Sequence, residues 1–177
     1  MDKNTQDLLE KGESLPVMES FYTIQGEGFH KGKASYFIRI GGCDVGCHWC
    51  DVKESWDAAA HPIISTKEII DEAIKYSDTI VITGGEPLMW DMTSLTNGLK
   101  SKNKIIHIET SGAYKLTGNW DWICLSPKKR MNPLAEFYNV ANELKVIVYN
   151  KDDLKFAEEQ AKMVNSDAHL YLQPEWD

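Results

Sequence analysis

Three cysteines stand within eight residues of this sequence, in the segment Cys43-Asp-Val-Gly-Cys47-His-Trp-Cys50. Their C-x3-C-x2-C spacing brings soft thiolate ligands together, which favours an iron–sulfur cluster or zinc over hard cations. A structural zinc site is closed by four protein ligands. Three thiolates on a [4Fe–4S] cluster instead leave one iron able to bind a small molecule. The count of three therefore predicts a cluster that takes part in chemistry.

Other interpretations of the cysteines remain open at this point. His48 or His30 could complete a zinc site with the three thiolates. Disulfides are disfavoured, because the polar and acidic first fifteen residues do not resemble a signal peptide and intracellular thiols stay reduced. We therefore expect a cytoplasmic protein. The fourth cysteine, Cys124, lies in an apolar run and is expected to pack in the core.

Composition bounds the class of protein. The chain has 177 residues, 42% of them hydrophobic and 26% charged, which suits one globular domain with a proper core. A net charge of −8 lacks the basic face that nucleic acid binding needs. No apolar stretch reaches the roughly 20 residues that span a membrane. The one basic run, 128–130, could hold a small anionic ligand.

The elements that must position the cysteines alternate between strands and helices. We expect a flexible leader over residues 1–16 and a single domain over 17–177. A capping box at Ser65 and Glu68 predicts a helix, Asn150 caps another, and a weaker helix spans about 92–101. Runs rich in strand-forming residues lie at 17–24, 35–40, 79–83, 104–109, 122–126, 143–149 and 169–173.

Strand–helix alternation implies right-handed crossovers and a mostly parallel sheet. About six strands and about three helices are too few for a closed eight-fold barrel, so we expect an α/β fold in the form of a partial, open barrel. Carboxyl ends of parallel strands converge on one face. Polar or glycine-rich groups follow the strands at 39–43, 83–86, 109–112, 126–128 and 173–175, which predicts one shared site.

Together these motifs resemble those of a known family. The cysteine loop and the segment Gly84-Gly-Glu-Pro87 resemble the cluster and cofactor loops of the radical S-adenosylmethionine (SAM) superfamily. Within it, the chain is similar to the 7-carboxy-7-deazaguanine synthase family over about residues 17 to 175. The further matching segments are 21–28, 37–39, 49–51, Trp56, 109–112, 125–128, 143–145 and 172–174.

The resemblance implies an activity. The family converts 6-carboxy-5,6,7,8-tetrahydropterin to 7-carboxy-7-deazaguanine by ring contraction with loss of ammonia, on the route to queuosine. Its implied cofactors are a [4Fe–4S] cluster, SAM and Mg²⁺. The implied partners are the pterin substrate, an electron donor such as flavodoxin or ferredoxin, and a second copy of the chain in a homodimer; no nucleic acid or membrane partner is expected.

The resemblance also assigns residues. Cys43, Cys47 and Cys50 would ligate the cluster, with Glu86 accepting from the methionine ammonium and Gly84 and Gly85 allowing close backbone approach. The full set expected to bind SAM is Trp49, Asp51, Gly84, Gly85, Glu86, Ser126, Pro127, Lys128, Gln173, Pro174, Glu175 and Trp176.

The substrate needs donors and acceptors for its amide and amino edge and a cation for its carboxylate. Gln25 and Glu27 suit the edge, and Arg39 suits the carboxylate because guanidinium binds carboxylates bidentately. A structural ion pair of Arg39 with an acidic side chain is the alternative. The residues expected to bind substrate are Ile24, Gln25, Gly26, Glu27, Arg39 and Thr83.

Two departures from the family pattern stand out. The residue after Asp51 is commonly a hydroxyl residue assigned to magnesium, but here it is Val52, which cannot ligate a hard cation. The family's C-terminal helix and strand, with Gln-x-His-Lys, are expected to be missing from these 177 residues.

Three functional hypotheses result. The first is the pterin-converting radical enzyme. The second is a different radical SAM enzyme, such as a glycyl-radical activase, which shares the cluster loop but docks a large protein. The third is a zinc-binding interaction module without catalysis. Gln25, Glu27 and Arg39 favour a small carboxylated substrate and thus the first hypothesis.

Overall fold

The structure is a computed structural model that describes residues 2–175, and one continuous eight-stranded sheet organises it. The strands are β1 Ser14–Ile24, β2 Ala34–Ile40, β3 Ile63–Ser65, β4 Thr79–Gly84, β5 Ile105–Thr110, β6 Trp122–Leu125, β7 Glu143–Val148 and β8 His169–Pro174. Their order across the sheet is β3-β1-β2-β4-β5-β6-β7-β8.

Six neighbouring strands, from β2 through β4 to β8, are parallel, whereas β1 runs antiparallel to both β2 and β3. The prediction of a mostly parallel, open α/β sheet is confirmed. The expected count of about six strands is too low for the whole sheet, because the three-residue β3 is too short to show a period in sequence.

The helices are α1 Lys3–Glu10, α2 Thr66–Ala73, α3 Thr93–Ser101, α4 Ala135–Val140 and α5 Lys151–Met163. Capping boxes begin α2 at Ser65 and α5 at Asn150, as the sequence predicts. Three turns of 3₁₀ helix lie at Lys53–Ser55, Ala58–Ala60 and Pro87–Met89. None of the described helices is long and apolar enough to cross a membrane.

The start of the chain differs from the expected flexible leader. The structure instead places α1 there, begun by the Asp2 side chain, which accepts from the Thr5 amide at 3.0 Å. Leu9 is buried, and β1 begins at Ser14, three residues earlier than expected. The sequence did not predict α1, because most of its residues are polar. A single buried residue, Leu9, packs this helix of eight residues against the rest of the fold. The single domain over 17–177 stays a prediction.

Alternation along the strands separates two faces of the sheet. Isoleucines and leucines such as Ile38, Ile82, Ile108 and Leu144 face the helices and form the core. The residues between them, including Arg39, Thr83, Glu109 and Lys145, line a cavity on the opposite face. Because side chains on a strand alternate, this pattern places polar groups together without exposing the core.

Candidate active site

A cavity of about 390 Å³ lies at the carboxyl ends of the parallel strands. Every residue expected to bind the cluster, SAM or the substrate lines it, except Pro127 and Trp176. Trp176 lies outside the described residues. The cavity also contains Val52 and further residues whose roles the sequence did not predict, among them Ser55, Ser111, Lys145 and Glu109.

The cysteine loop follows β2 directly, and main-chain hydrogen bonds hold its start. The Gly42 amide donates to the Ser55 carbonyl at 2.7 Å, and the Cys43 amide donates to the Trp56 carbonyl at 3.1 Å. All three thiols are free and half-buried against the cavity. Burial raises the pKa of the Cys43 and Cys47 thiols, because the thiolate form loses hydration there.

Two side chains from other strand ends clamp this loop. The Tyr114 hydroxyl donates to the Asp44 carboxylate, and the Arg130 guanidinium donates to the Gly46 carbonyl at 2.6 Å. Burial, with the bond to Asp44, raises the pKa of Tyr114 to about 12, so this donor keeps its proton at neutral pH. The loop is therefore anchored between its cysteines.

The donor set fits an iron–sulfur cluster better than a single zinc ion. Within residues 2–175, no three His, Cys, Asp or Glu side chains converge closely enough to hold one metal ion. His30, one proposed fourth ligand, does not line the cavity and instead packs against the His107 ring and edge-on against the Trp122 ring. Three thiols that line one cavity suit a [4Fe–4S] cluster, which accepts three protein thiolates, whereas a structural zinc ion takes four protein ligands.

The Gly84-Gly-Glu-Pro87 segment packs on the cysteine loop. The Glu86 amide donates to the Gly42 carbonyl at 2.8 Å. A Cβ on Gly85 would lie 2.3 Å from the Gly42 carbonyl oxygen and 2.8 Å from the Cys43 Cβ. Glycine at this position is thus required by the contact between the two loops, in addition to any approach to a cofactor.

Glu86 is buried and its carboxylate is fully hydrogen-bonded. Oε1 accepts from the Thr110 hydroxyl at 2.6 Å and the Leu88 amide at 3.1 Å, and Oε2 accepts from the Ser111 hydroxyl at 2.5 Å and amide at 2.8 Å. An ammonium contact to Glu86 would have to displace one of these donors. The carboxylate joins the end of β4 to the end of β5.

Lys128 lies between the cysteine loop and β6. Its ammonium donates to the Ser126 carbonyl at 2.7 Å and hydroxyl at 2.6 Å, and it sits 5.3 Å from the centre of a Trp49 ring. Burial lowers the pKa of Lys128. The expectation that Ser126, Lys128 and Trp49 meet at one place agrees with this geometry.

Arg39 lines the cavity and also forms an ion pair. Its Nε donates to Glu19 Oε1 at 2.8 Å, and among the described residues its terminal guanidinium nitrogens make no hydrogen bond. A bulge in β1 between Val17 and Glu19 creates this pair, since it brings Glu19 opposite Arg39. The predicted ion pair of Arg39 is therefore present at Nε, and the binding of a substrate carboxylate by Arg39 stays a prediction.

The cavity wall also contains a hydrogen-bonding network, which is formed by Gln25, Glu27, Glu109 and Lys145. Gln25 Nε2 donates to Glu109 Oε1 at 3.0 Å, and Lys145 Nζ donates to Glu27 Oε2 at 2.8 Å and Glu109 Oε2 at 3.2 Å. Burial favours a higher pKa for Glu109, but Lys145 and the Gln25 amide outweigh it and hold the pKa below its ordinary value. Thus Gln25 and Glu27 meet as expected, on partners the sequence did not predict.

Comparisons with known proteins agree with this site. Residues 37–123 match the family model described as the radical SAM superfamily. The chain is 66% identical to the 7-carboxy-7-deazaguanine synthase of Flavobacterium psychrophilum over 99% of its own length and 84% of that protein. It is 47% identical to that of Synechocystis sp. over 93% of this chain and 79% of that protein.

Fold comparison gives the same result. The crystal structure of QueE from Escherichia coli is similar with a TM-score of 0.80 and 28% identity, covering 98% of this chain and 88% of that one. The fold and the cysteine loop define a radical SAM protein, for which a [4Fe–4S] cluster and SAM are the implied cofactors. Within that class, the chain belongs to the 7-carboxy-7-deazaguanine synthase family. This membership favours the first of the three functional hypotheses.

Proposed function

We propose that this chain converts 6-carboxy-5,6,7,8-tetrahydropterin to 7-carboxy-7-deazaguanine by ring contraction with loss of ammonia, in the biosynthesis of queuosine. The observation that carries the proposal is one cavity that is lined by the three thiols, by a hydrogen-bonding network and by Arg39. The names of the relatives support the same reaction.

The cysteine end of the cavity would hold the cofactors. Cys43, Cys47 and Cys50 would ligate the cluster, and the residues expected to bind SAM surround them. When bound, these groups supply one-electron chemistry that starts a radical reaction. The chain's own part is to orient SAM and exclude water. Lys128, held by Ser126 beside Trp49, provides a cation for the SAM carboxylate.

The opposite end would hold the pterin. Glu27, Glu109 and the Gln25 amide offer acceptors for the amide and amino edge of the ring. Thr83 lies at the end of β4 on the same wall, and main-chain groups at Ile24 and Gly26 lie beside Gln25. Arg39 would bind the substrate carboxylate, because Arg39 lines the cavity and Glu19 pairs only with its Nε among the described residues.

The test is an anaerobic reconstitution of the full chain with iron and sulfide, followed by SAM, a reductant and 6-carboxytetrahydropterin. Mass spectrometry should detect 7-carboxy-7-deazaguanine, with SAM cleavage that depends on the pterin. SAM cleavage without ring contraction would contradict the proposed substrate. A chain that binds only zinc would contradict the radical chemistry altogether.

Arg39→Met should raise the KM for the pterin by about 100-fold or more, because a bidentate charge-assisted contact is lost. Arg39→Lys should recover only part of the affinity, since an ammonium lacks the planar fork. Steady-state kinetics would give the KM and kcat separately. Glu19→Gln is the matched control, because it perturbs the same ion pair on its exposed side and should change the KM much less. Equal effects of Arg39→Met and Glu19→Gln would contradict a direct role of Arg39.

Val52 leads to a second expectation. Its side chain lines the cavity beside Asp51 and offers no ligand to Mg²⁺. We therefore propose that Mg²⁺ stimulates turnover only weakly here and that Val52→Thr increases the stimulation. Activity assays across a magnesium titration measure this. Loss of activity on chelation, with recovery by magnesium alone, would contradict a weak dependence.

We further propose a homodimer served by a small electron donor such as flavodoxin or ferredoxin. A cytoplasmic location would suit the four free thiols, because they stay reduced there. Light scattering of the purified chain and reduction assays with each donor test these proposals.

A further inference from the structure

The segment Glu143-Leu-Lys145 is part of the family pattern but has no role in the function proposed above. It opens β7, and its side chains alternate between the two faces of the sheet. Leu144 packs in the core, whereas Glu143 and Lys145 point toward the cavity face and are buried. A buried ammonium and a buried carboxylate on one strand are costly unless each is satisfied by specific partners.

Lys145 is satisfied by carboxylates from two other parts of the chain. Its side chain is 5% exposed, and Nζ contacts Glu27 on the loop after β1 and Glu109 on β5. The other oxygen of Glu109 accepts from Gln25, which shares the loop of Glu27. One ammonium thus fixes the positions of three side chains that line the cavity.

Glu143 also contacts the loop after β1, which carries Gln25 and Glu27. Its Oε2 accepts from the Phe29 amide and from the Trp122 indole, both at 3.2 Å. Gly28, at φ +68°, lies so close that a Cβ there would sit 2.0 Å from Glu143 Oε1. The loop therefore rests on β7 at two points, one at Glu143 and one at Lys145.

We propose that Lys145 is a positioning residue for the substrate: its ammonium holds Glu27 and Glu109 side by side as paired acceptors for the donor edge of an aminopyrimidinone ring. This inference rests on the proposed function. It adds to that function the residue that allows two carboxylates to lie side by side in one cavity. Without Lys145, the carboxylates would repel each other and one would take a proton, so an acceptor would become a donor.

The charges around Lys145 support this role. Burial opposes its ammonium, but Glu109, Cys124 and Glu27 together hold the pKa of Lys145 well above its ordinary value. The other titratable groups near this network are Glu143 on the same strand, Lys128 after β6, Tyr171, which pairs with Lys145 across β8, and His30 and His107, which line a small cavity with Glu27 and Glu109. Of the other cations that line the main cavity, Lys128 is held by Ser126 and Arg39 by Glu19.

The experiment compares Lys145→Met with the wild-type full chain, using equilibrium binding of pterin-6-carboxylate followed by tryptophan fluorescence. We expect the Kd to rise about tenfold or more at neutral pH. In the variant the Kd should also be higher near pH 6 than near pH 8, because a carboxylate without its counter-charge protonates within that range. The wild-type Kd should change little over this range. The iron and sulfide content after anaerobic reconstitution should match that of the wild type.

Lys104→Met is the matched control. Lys104 is also largely buried and paired, with Asp78 at 2.9 Å, but it lies outside the cavity. Its removal should leave pterin binding unchanged. Lys145→Arg should bind more tightly than Lys145→Met, because it restores the charge. Should Lys145→Met fail to fold, the double variant Lys145→Met with Glu27→Gln removes the excess negative charge and is measured in the same way.

The outcomes separate the inference from the proposed function. If the wild type binds the pterin and Lys145→Met, or the double variant, binds it equally well at every pH, the inference is overturned and the proposed function stands. If the wild type binds the pterin without converting its reduced form, only the proposed reaction fails. A wild type that does not bind the pterin overturns both.

Discussion

Cys47→Ser should abolish both the brown iron–sulfur chromophore and product formation, with turnover falling by at least about a thousandfold. In the proposed site the cluster has three protein ligands, Cys43, Cys47 and Cys50, and a hydroxyl cannot replace one of them because it is a poor ligand for iron. The measurements are iron and sulfide content, absorbance after anaerobic reconstitution, and turnover.

Cys124→Ser is the matched control for this loss. Cys124 is buried on β6, away from the cysteine loop, and its thiol contacts Glu143 Oε1 at 3.6 Å. Burial raises its pKa well above that of a free thiol, so it stays protonated and does not compete for iron. The Cys124→Ser chain should retain the cluster. Equal iron content in Cys47→Ser and wild type would contradict the assignment of the cluster to this loop.

Glu86→Gln should lower the free energy of unfolding by about 2–4 kcal/mol, the second large effect we expect. The carboxylate accepts four hydrogen bonds, and an amide replaces one acceptor oxygen with a donor. Two donors at that oxygen would then face another donor in a buried place. Denaturant unfolding of the cluster-free chain measures the change, and SAM affinity should fall with it because the loop after β4 loses its hold on β5.

Glu72→Gln gives the corresponding control. Glu72 pairs with Lys75 and Tyr76 on the exposed side of α2, where hydrogen bonds contribute little. Its replacement should change stability by no more than about 0.5 kcal/mol. If the Glu86→Gln chain is as stable as the Glu72→Gln chain, the four hydrogen bonds of Glu86 contribute little to stability. An ammonium could then displace one of these donors from Glu86 at little cost.

Much of the site was predictable because its signals are local. The cysteine spacing and the Gly84–Gly85–Glu86 run are each readable within a few residues. So are the capping boxes at Ser65 and Asn150, since a cap depends only on the residues of its own first turn. Parallel strands then bring their carboxyl ends together, and this carries separate local motifs to one cavity.

The parts of the site and fold that the sequence did not predict depend on contacts between residues that are distant in the chain. Lys145 contacts Glu27, which is 118 residues away in the sequence, and Glu109, which is 36 residues away. A local sequence pattern cannot predict contacts at such separations. The pairing of Arg39 with Glu19 depends on a one-residue bulge in β1, which has no sequence signature here. The helix Lys3–Glu10 was missed because its polar surface resembles that of a flexible segment.

The strand order has a consequence for how the protein is made in the cell. The cysteines are close neighbours in sequence and leave the ribosome together, whereas the cavity wall also needs Gln173 on the last strand of the sheet. Distant strands pair late, because the chain must first close long loops. The thiols are thus synthesised well before the walls that shield them exist. In that interval the three thiols are more accessible to iron and to oxidants than they are in the folded chain.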